Sequence, residues 1–238
     1  MKTILKTGLS VAILSLLAAC GGGNGETKPQ RLNMLIDFDK GVTGWTGGTA
    51  DYTPETAPVN VKFEAKALPA PLTGKGYLIG GTNQSDDLFV FVKKQFTGME
   101  KNGVYNVSFS VKFASNVPSG CFGVGGAPGE AVWVYAGATA AEPKAVTTND
   151  GYIRMNVDRG NQGGGGKEGD ILGNIANGQA CGGTPAYASK TLKSEKPLKV
   201  TADANGAVWV MLGIDSGFEA YSEIILQSVE MEAVPATL

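Results

Sequence analysis

The chain has 238 residues, 20 of them basic and 22 acidic, with no histidine and 35 glycines. A formal charge of −2 leaves no basic excess to neutralise phosphates, which argues against a nucleic-acid partner. The lack of histidine excludes a Ser-His-Asp triad and the usual histidine-ligated catalytic zinc sites. Glycine at about twice its usual share, without long amphipathic helical patterns, favours strands joined by irregular loops.

From the N-terminus, Lys2 and Lys6 precede an uncharged run from Thr7 to Ala19 that ends in small residues, the layout of an export signal. The run is too short to span a bilayer. Leu17-Ala18-Ala19-Cys20 resembles the lipobox of bacterial lipoproteins. That resemblance implies a signal peptide over 1–19, cleavage before Cys20, and a membrane anchor made of a diacylglyceride on the Cys20 sulfur and an acyl chain such as palmitate on its new amino group. Several chains anchor stably where one would not. Gly21 lacks the acidic character associated with inner-membrane retention, so the expected destination is the outer membrane of the bacterial cell envelope, the domain facing either the periplasm or the surface. Losing Lys2 and Lys6 takes the formal charge from −2 to −4. No later run of about eighteen apolar residues predicts a transmembrane helix. Residues 20–31, almost free of apolar side chains, predict a flexible tether of roughly 20 Å, and 32–238 a single domain.

Within that domain, Leu88-Phe89-Val90-Phe91-Val92 is apolar on both faces, and Asn102-Gly103 supplies a turn before the next segment. From Val104 to Ala114 the pattern alternates: Tyr105, Val107, Phe109, Val111 and Phe113 point one way, Asn106, Ser108, Ser110 and Lys112 the other. This is a half-buried strand, and the two segments are candidates for antiparallel neighbours. Further strands are expected at Ala131–Ala136, Gly151–Val157, Leu198–Ala202, Ala207–Ile214 and Glu223–Ala233. With Cys20 given to lipid, Cys121 and Cys181 form an even pair in an oxidising compartment and are expected to be bonded. Short strands with Gly and Asn turns indicate an all-β, two-sheet sandwich with long glycine-rich loops.

Phe38-Asp39-Lys40-Gly41-Val42-Thr43-Gly44-Trp45 resembles the F-[DE]-x-G-x-x-G-W opening of galactose-binding-like jelly rolls, many of them carbohydrate-binding modules. Gly103-Val104-Tyr105-Asn106-Val107-Ser108-Phe109 is similar to a G-x-Y-x-V-S-F strand of those domains, and Ile225-Leu226-Gln227-Ser228-Val229 falls where they close. The resemblance implies a jelly-roll-like fold with Trp45 in its core. It does not extend over Ser115 to Ala188. Longer strings, GWTGGTADY, NQSDDLFVF, SGCFGVGGAPGE, RMNVDRGNQ and DSGFE, resemble bacterial lipoproteins without an assigned activity.

Potential chemistry is sparse. Gly163-Gly164-Gly165-Gly166-Lys167 has Glu168 where a phosphate loop needs Ser or Thr, so a surface loop is expected. Glu130, Glu142, Glu219 and Glu223 could serve a carboxylate-based glycan hydrolase or lyase, but none lies in an E-x-D-x-x-E arrangement, and solvated surface is their expected role. The expectation is therefore a protein that is not an enzyme and requires no cofactor. The jelly-roll resemblance implies a structural calcium near the first and last strands, with Asp39 as its acidic ligand, although Gln227 and Ser228 replace the closing acidic pair. Asp86 with Asp87, or Asp158 with Asn161, could form a separate oxygen-rich site or simple turns. Trp133 and Tyr135 share one strand face and Trp209 lies on another strand. If Val132, Val134, Val208 and Val210 fill the core, these rings line a ligand face; otherwise both faces are buried. The expected function is non-catalytic binding of a glycan, the alternative being a structural or assembly role on an envelope protein.

Overall fold

The computed structural model describes residues 30–236; the expected signal peptide, Cys20 and most of the tether lie outside the described residues. In chain order the strands are Leu32–Asp37 (β1), Thr46–Ala50 (β2), Val59–Ala67 (β3), Lys75–Thr82 (β4), Leu88–Thr97 (β5), Val104–Ser115 (β6), Val132–Thr139 (β7), Ala145–Thr147 (β8), Ile153–Met155 (β9), Gly160–Asn161 (β10), Gly164–Gly165 (β11), Gly169–Asn174 (β12), Ala188–Lys193 (β13), Leu198–Thr201 (β14), Ala207–Ser216 (β15) and Tyr221–Pro235 (β16). No helix among the described residues is long and apolar enough to cross a membrane.

Two antiparallel sheets form a jelly-roll-like sandwich. The seven-stranded sheet runs β13-β6-β16-β4-β3, with β14 also on β6 and β1 also on β16. The five-stranded sheet runs β12-β7-β15-β5-β2. The chain crosses between the sheets at β1–β2, β2–β3, β4–β5, β5–β6, β6–β7, β12–β13, β14–β15 and β15–β16. The crossing at β5–β6 corrects the expectation that these strands pair. Met99 N–H donates to the Gly206 carbonyl and Asn102 N–H to that of Asp203. Those bonds tie the connection to the β14–β15 turn, so it cannot close as a hairpin.

The alternation on β6 sets the core: Tyr105, Val107, Phe109, Val111 and Phe113 are buried against Val90, Val134, Val210, Leu212 and Ile214 of the opposite sheet. Trp45 packs in the same core with its ring 5.3 Å from that of Phe38. The five-stranded sheet is also covered on its outer face. There Phe89, Phe91, Tyr135 and Met211 are buried with Val157, under the segment that carries β8 to β11. A strand buried on both faces needs no polar alternation, which explains the unbroken run Leu88–Val92. Gly213 makes room on this face, since a Cβ there would lie 2.6 Å from the Phe89 ring.

Cys121 and Cys181 are bonded, with Cα atoms 5.2 Å apart and a sequence separation of 60. The bridge joins two loops that also pair through Ser119 and Ala180. On the chain-entropy model a closure of this length contributes about 4 kcal/mol. Replacing both cysteines by serine is expected to lower the urea-unfolding free energy by up to about that amount and to make the 116–131 loop sensitive to protease, with the far-ultraviolet circular dichroism unchanged.

Candidate functional site

Arg159 is the centre of the outer face of the five-stranded sheet. Its guanidinium is buried over the rings of Phe89, at 4.0 Å, and Tyr135, at 5.2 Å. Nη1 donates to Asp215 Oδ2 at 2.7 Å, and Nη2 donates to Asp51 Oδ2 and, at 3.3 Å, to Asn161 Oδ1. The Gln162 N–H donates a further bond to Asp215 Oδ2 at 2.6 Å. The loop is shaped for this insertion: Gly160 has φ +80°, and a Cβ there would lie 2.0 Å from the Gly164 carbonyl. Asp51 and Gln162 also sit at positive φ, 69° and 42°. Asp tolerates that region better than most residues.

Three carboxylates face this one cation. Asp87 joins Asp51 and Asp215, and oxygens from the three lie within 4.8 Å of one another. Asp215 is fully buried, yet its Oδ1 has no hydrogen-bond partner, and neither has Asp87 Oδ1. Burial first, then the charges of Asp215 and Asp51, push the Asp87 carboxyl up to about 8. Burial also raises Asp215, against the lowering effect of Arg159. For Arg159, burial works against the charge, but Asp215 and Asp51 outweigh it and the guanidinium is held more firmly protonated. The Tyr135 hydroxyl is raised mainly by burial and then by Asp215.

The expected ligand residues are distributed unevenly around this centre. Tyr135, expected on a ligand face with Trp133, is instead fully buried, its hydroxyl donating to the carbonyls of Gln162 (2.7 Å) and Gly164 (2.9 Å). The physical reason is the covering segment, which takes the sheet face for itself. Trp133 is half-buried beside Gly163 and Gly217. Trp209 pairs with Thr139 whereas Trp133 pairs with Asp215, so the two indoles lie about 20 Å apart along β7. Trp209 has Lys93 Nζ 5.5 Å from its ring instead. Asp39 Oδ1 accepts the Lys75 N–H at 2.7 Å, which fixes the start of β4. Asp39 is not in the three-carboxylate group.

The rim beside Trp133 is built from the disulfide-linked loops. Phe122 is fully exposed and Val124 is 68% exposed. Their backbone is nonetheless fixed: Gly120 N–H donates to Glu130 Oε1, Ser119 N–H to the Gln179 carbonyl, and Glu219 N–H to that of Val124. Gly123 lies against the Phe218 ring, where a Cβ would approach to 2.4 Å. Glu219 is hydrogen-bonded to Asp86, which raises its carboxyl. Glu142 instead pairs with Lys93 and Lys144, and Glu223 accepts from Tyr187 and Tyr221. These four glutamates stand apart from the Arg159 cluster. A separate groove of about 560 Å³ lies on the outside of the seven-stranded sheet between Leu35, Ser108, Lys193 and Glu232. Its one aromatic, Phe109, is buried in the core.

Composition and spacing did not single out Asp51, Arg159 or Asp215. A signal was present in the strings GWTGGTADY, NQSDDLFVF, RMNVDRGNQ and DSGFE, which carry Asp51, Asp87, Arg159 and Asp215 respectively and meet here.

No family model and no curated protein matches the chain. Among solved structures, it is similar to a xylan-binding domain of carbohydrate-binding module family 22 from Paenibacillus barcinonensis, at 12% identity over 86% of this chain and 95% of that one, with a TM-score of 0.40. A family 11 carbohydrate-binding module of a cellulosomal cellulase from Clostridium thermocellum gives 11%, 86%, 95% and 0.40. A cleaved adhesin domain of Lys-gingipain from Porphyromonas gingivalis gives 11%, 84%, 97% and 0.35. Similarity at this level bears on neither ligand nor chemistry.

Arg159→Ala would strand Asp215 as a buried, uncompensated charge, and a loss of about 3–5 kcal/mol is expected in urea unfolding. The pH dependence follows from Asp87. Its folded pKa lies above the ordinary carboxylate range, so between about pH 4 and 8 the folded chain holds a proton the unfolded chain has released. Stability is therefore full at the acid end and falls as pH rises towards 8. In chelator-treated buffer, melting temperature is expected to fall from pH 5 to pH 9, and Asp87→Asn to flatten that slope.

Proposed function

We propose that the protein is a lipid-anchored envelope lipoprotein whose sandwich binds a glycan without catalysis, through the loop pole that carries Phe122 and Trp133. The observation that carries this reading is the full exposure of Phe122 on a loop held by a disulfide and by main-chain bonds. A ring fixed in water has already lost its freedom, so covering it releases hydration at little further entropic cost. Flat rings suit the C–H face of a sugar, and Asp86 and Glu219 nearby offer groups for hydroxyls.

The placement of the pole fits an anchored protein. Leu32, near the start of the described chain, pairs with Ala233 at one end of β16, while Phe218 and Glu219 immediately precede the other end at Tyr221. Those ends are about 40 Å apart. A chain held through Cys20 would present Phe122 away from its membrane. The second reading, assembly on an envelope protein, is favoured by one feature: Phe122 and Val124 project together into solvent.

A glycan array probed with the chain from Gly21 to Leu238 tests the proposal; the strands and core clusters described above lie within it. Binding in the micromolar to millimolar range is expected, weakened at least tenfold by Phe122→Ala and by Trp133→Ala, with no turnover on a polysaccharide panel. Silence on a diverse array, with one envelope protein captured by cross-linking in cells, would replace the glycan by a protein partner.

A further inference from the structure

We infer that Asp51, Asp87 and Asp215 together hold one divalent cation of the calcium type, beside Arg159 on the outer face of the five-stranded sheet. Oxygens from the three carboxylates lie within 4.8 Å of one another, a spacing that one ion with ligands at 2.3–2.6 Å spans. The acidic cluster is accompanied by a second observation. Asp215 is fully buried, and its Oδ1 has no donor although its Oδ2 accepts from both Arg159 and Gln162. Asp87 Oδ1 is equally without a donor. An acceptor left empty in a dry interior is costly, and the groups that could fill it are a proton or a cation.

Charge decides between them. One guanidinium against three carboxylates leaves an excess of two negative charges, which a proton halves and a divalent ion cancels. The hydrogen bonds of Arg159 go to Asp215 Oδ2, Asp51 Oδ2 and Asn161 Oδ1, and none reaches Oδ1 of Asp87 or of Asp215. The donor atoms are all hard oxygens, which select calcium or magnesium over zinc or copper. Calcium tolerates the irregular arrangement imposed by three separate chain segments, whereas magnesium demands a near-ideal octahedron. A cavity of about 200 Å³ lined by Asp51, Asp158, Arg159 and Asn161 reaches one of the three carboxylates, that of Asp51.

The site differs from the Asp39 position, where the carboxylate is engaged by the Lys75 N–H. It is also independent of what binds Phe122. Its role would be to tie the residue after β2 and the residue before β5 to β15, beside the Arg159 of the covering loop.

Calcium titration of the purified, chelator-stripped protein at pH 8, by calorimetry and by thermal melting, tests the inference. One equivalent is expected to bind, and a hundredfold excess over Kd to raise the melting temperature by about 5–10 °C. Asp87→Asn removes the charge with little change of shape, so it should fold, melt in chelator no lower than the wild type, and lose both the heat and the shift. Two results would overturn the inference: wild-type protein that shows neither heat nor shift, leaving a proton as the sole occupant, or an Asp87→Asn variant that keeps both, placing the ion elsewhere.

Discussion

The buried ion pair between Arg159 and Asp215 is the interaction on which the outer half of this molecule depends. It joins a loop side chain to a central strand, in a place where neither group reaches water. Isolated, each charge would be expensive there; paired, stacked on Phe89 and Tyr135, and bonded to Asp51 and Gln162, they hold one geometry. Of the covering segment's apolar side chains, Met155 and Val157 join the cluster on this sheet face. The segment's position is specified by polar contacts as well, and the pair converts a sheet face that would be open into an interior.

That conversion constrains function. On an open sheet, Phe89, Phe91, Tyr135 and Met211 would form a broad apolar floor. Here the guanidinium of Arg159 lies over that floor, and the loop carbonyls of Gln162 and Gly164 take the Tyr135 hydroxyl. The recognition surface is displaced to where the covering stops, at Trp133 and the turn Gly217–Phe218. The disulfide-linked loop begins at the same turn, since Gly123 leans on Phe218 and Val124 bonds to Glu219. Plug and exposed loop thus share a boundary, and Asp215 and Glu219 lie only four residues apart on either side of it.

Much of the inter-sheet core was legible in the sequence because it obeys a simple period. Tyr105 to Phe113 alternates, and Val132, Val134, Val208 and Val210 point inward as a period of two requires. The disulfide followed from counting thiols once one was assigned elsewhere. The strand neighbours were less legible: β5 and β15 are apolar on both faces, and such runs carry no information about which strand lies beside them. Strands β1 to β4, β12 and β13 were not anticipated either. Their glycines and mixed patterns, as in Lys75–Thr82, give no period, and their form comes from pairing: β1 and β4 with β16, β13 with β6, β2 with β5, β12 with β7, and β3 with β4.

The charged cluster was hidden for a different reason. Asp51, Asp87, Arg159 and Asp215 are separated by up to 164 positions, and each in its own segment reads as a turn or strand-end polar residue. Only Asp215 carried a local warning, because it closes the apolar strand Ala207–Ser216, and a carboxylate there must find a cation. The sequence has three arginines, at 31, 154 and 159, to offer the bidentate partner such a site prefers. Arg31 and Arg154 pair with exposed acids, Glu232 and Asp150. The burial of Arg159 therefore follows from the demand of Asp215. The two additional carboxylates exceed that demand, and theirs is the excess charge that the inferred cation would cancel.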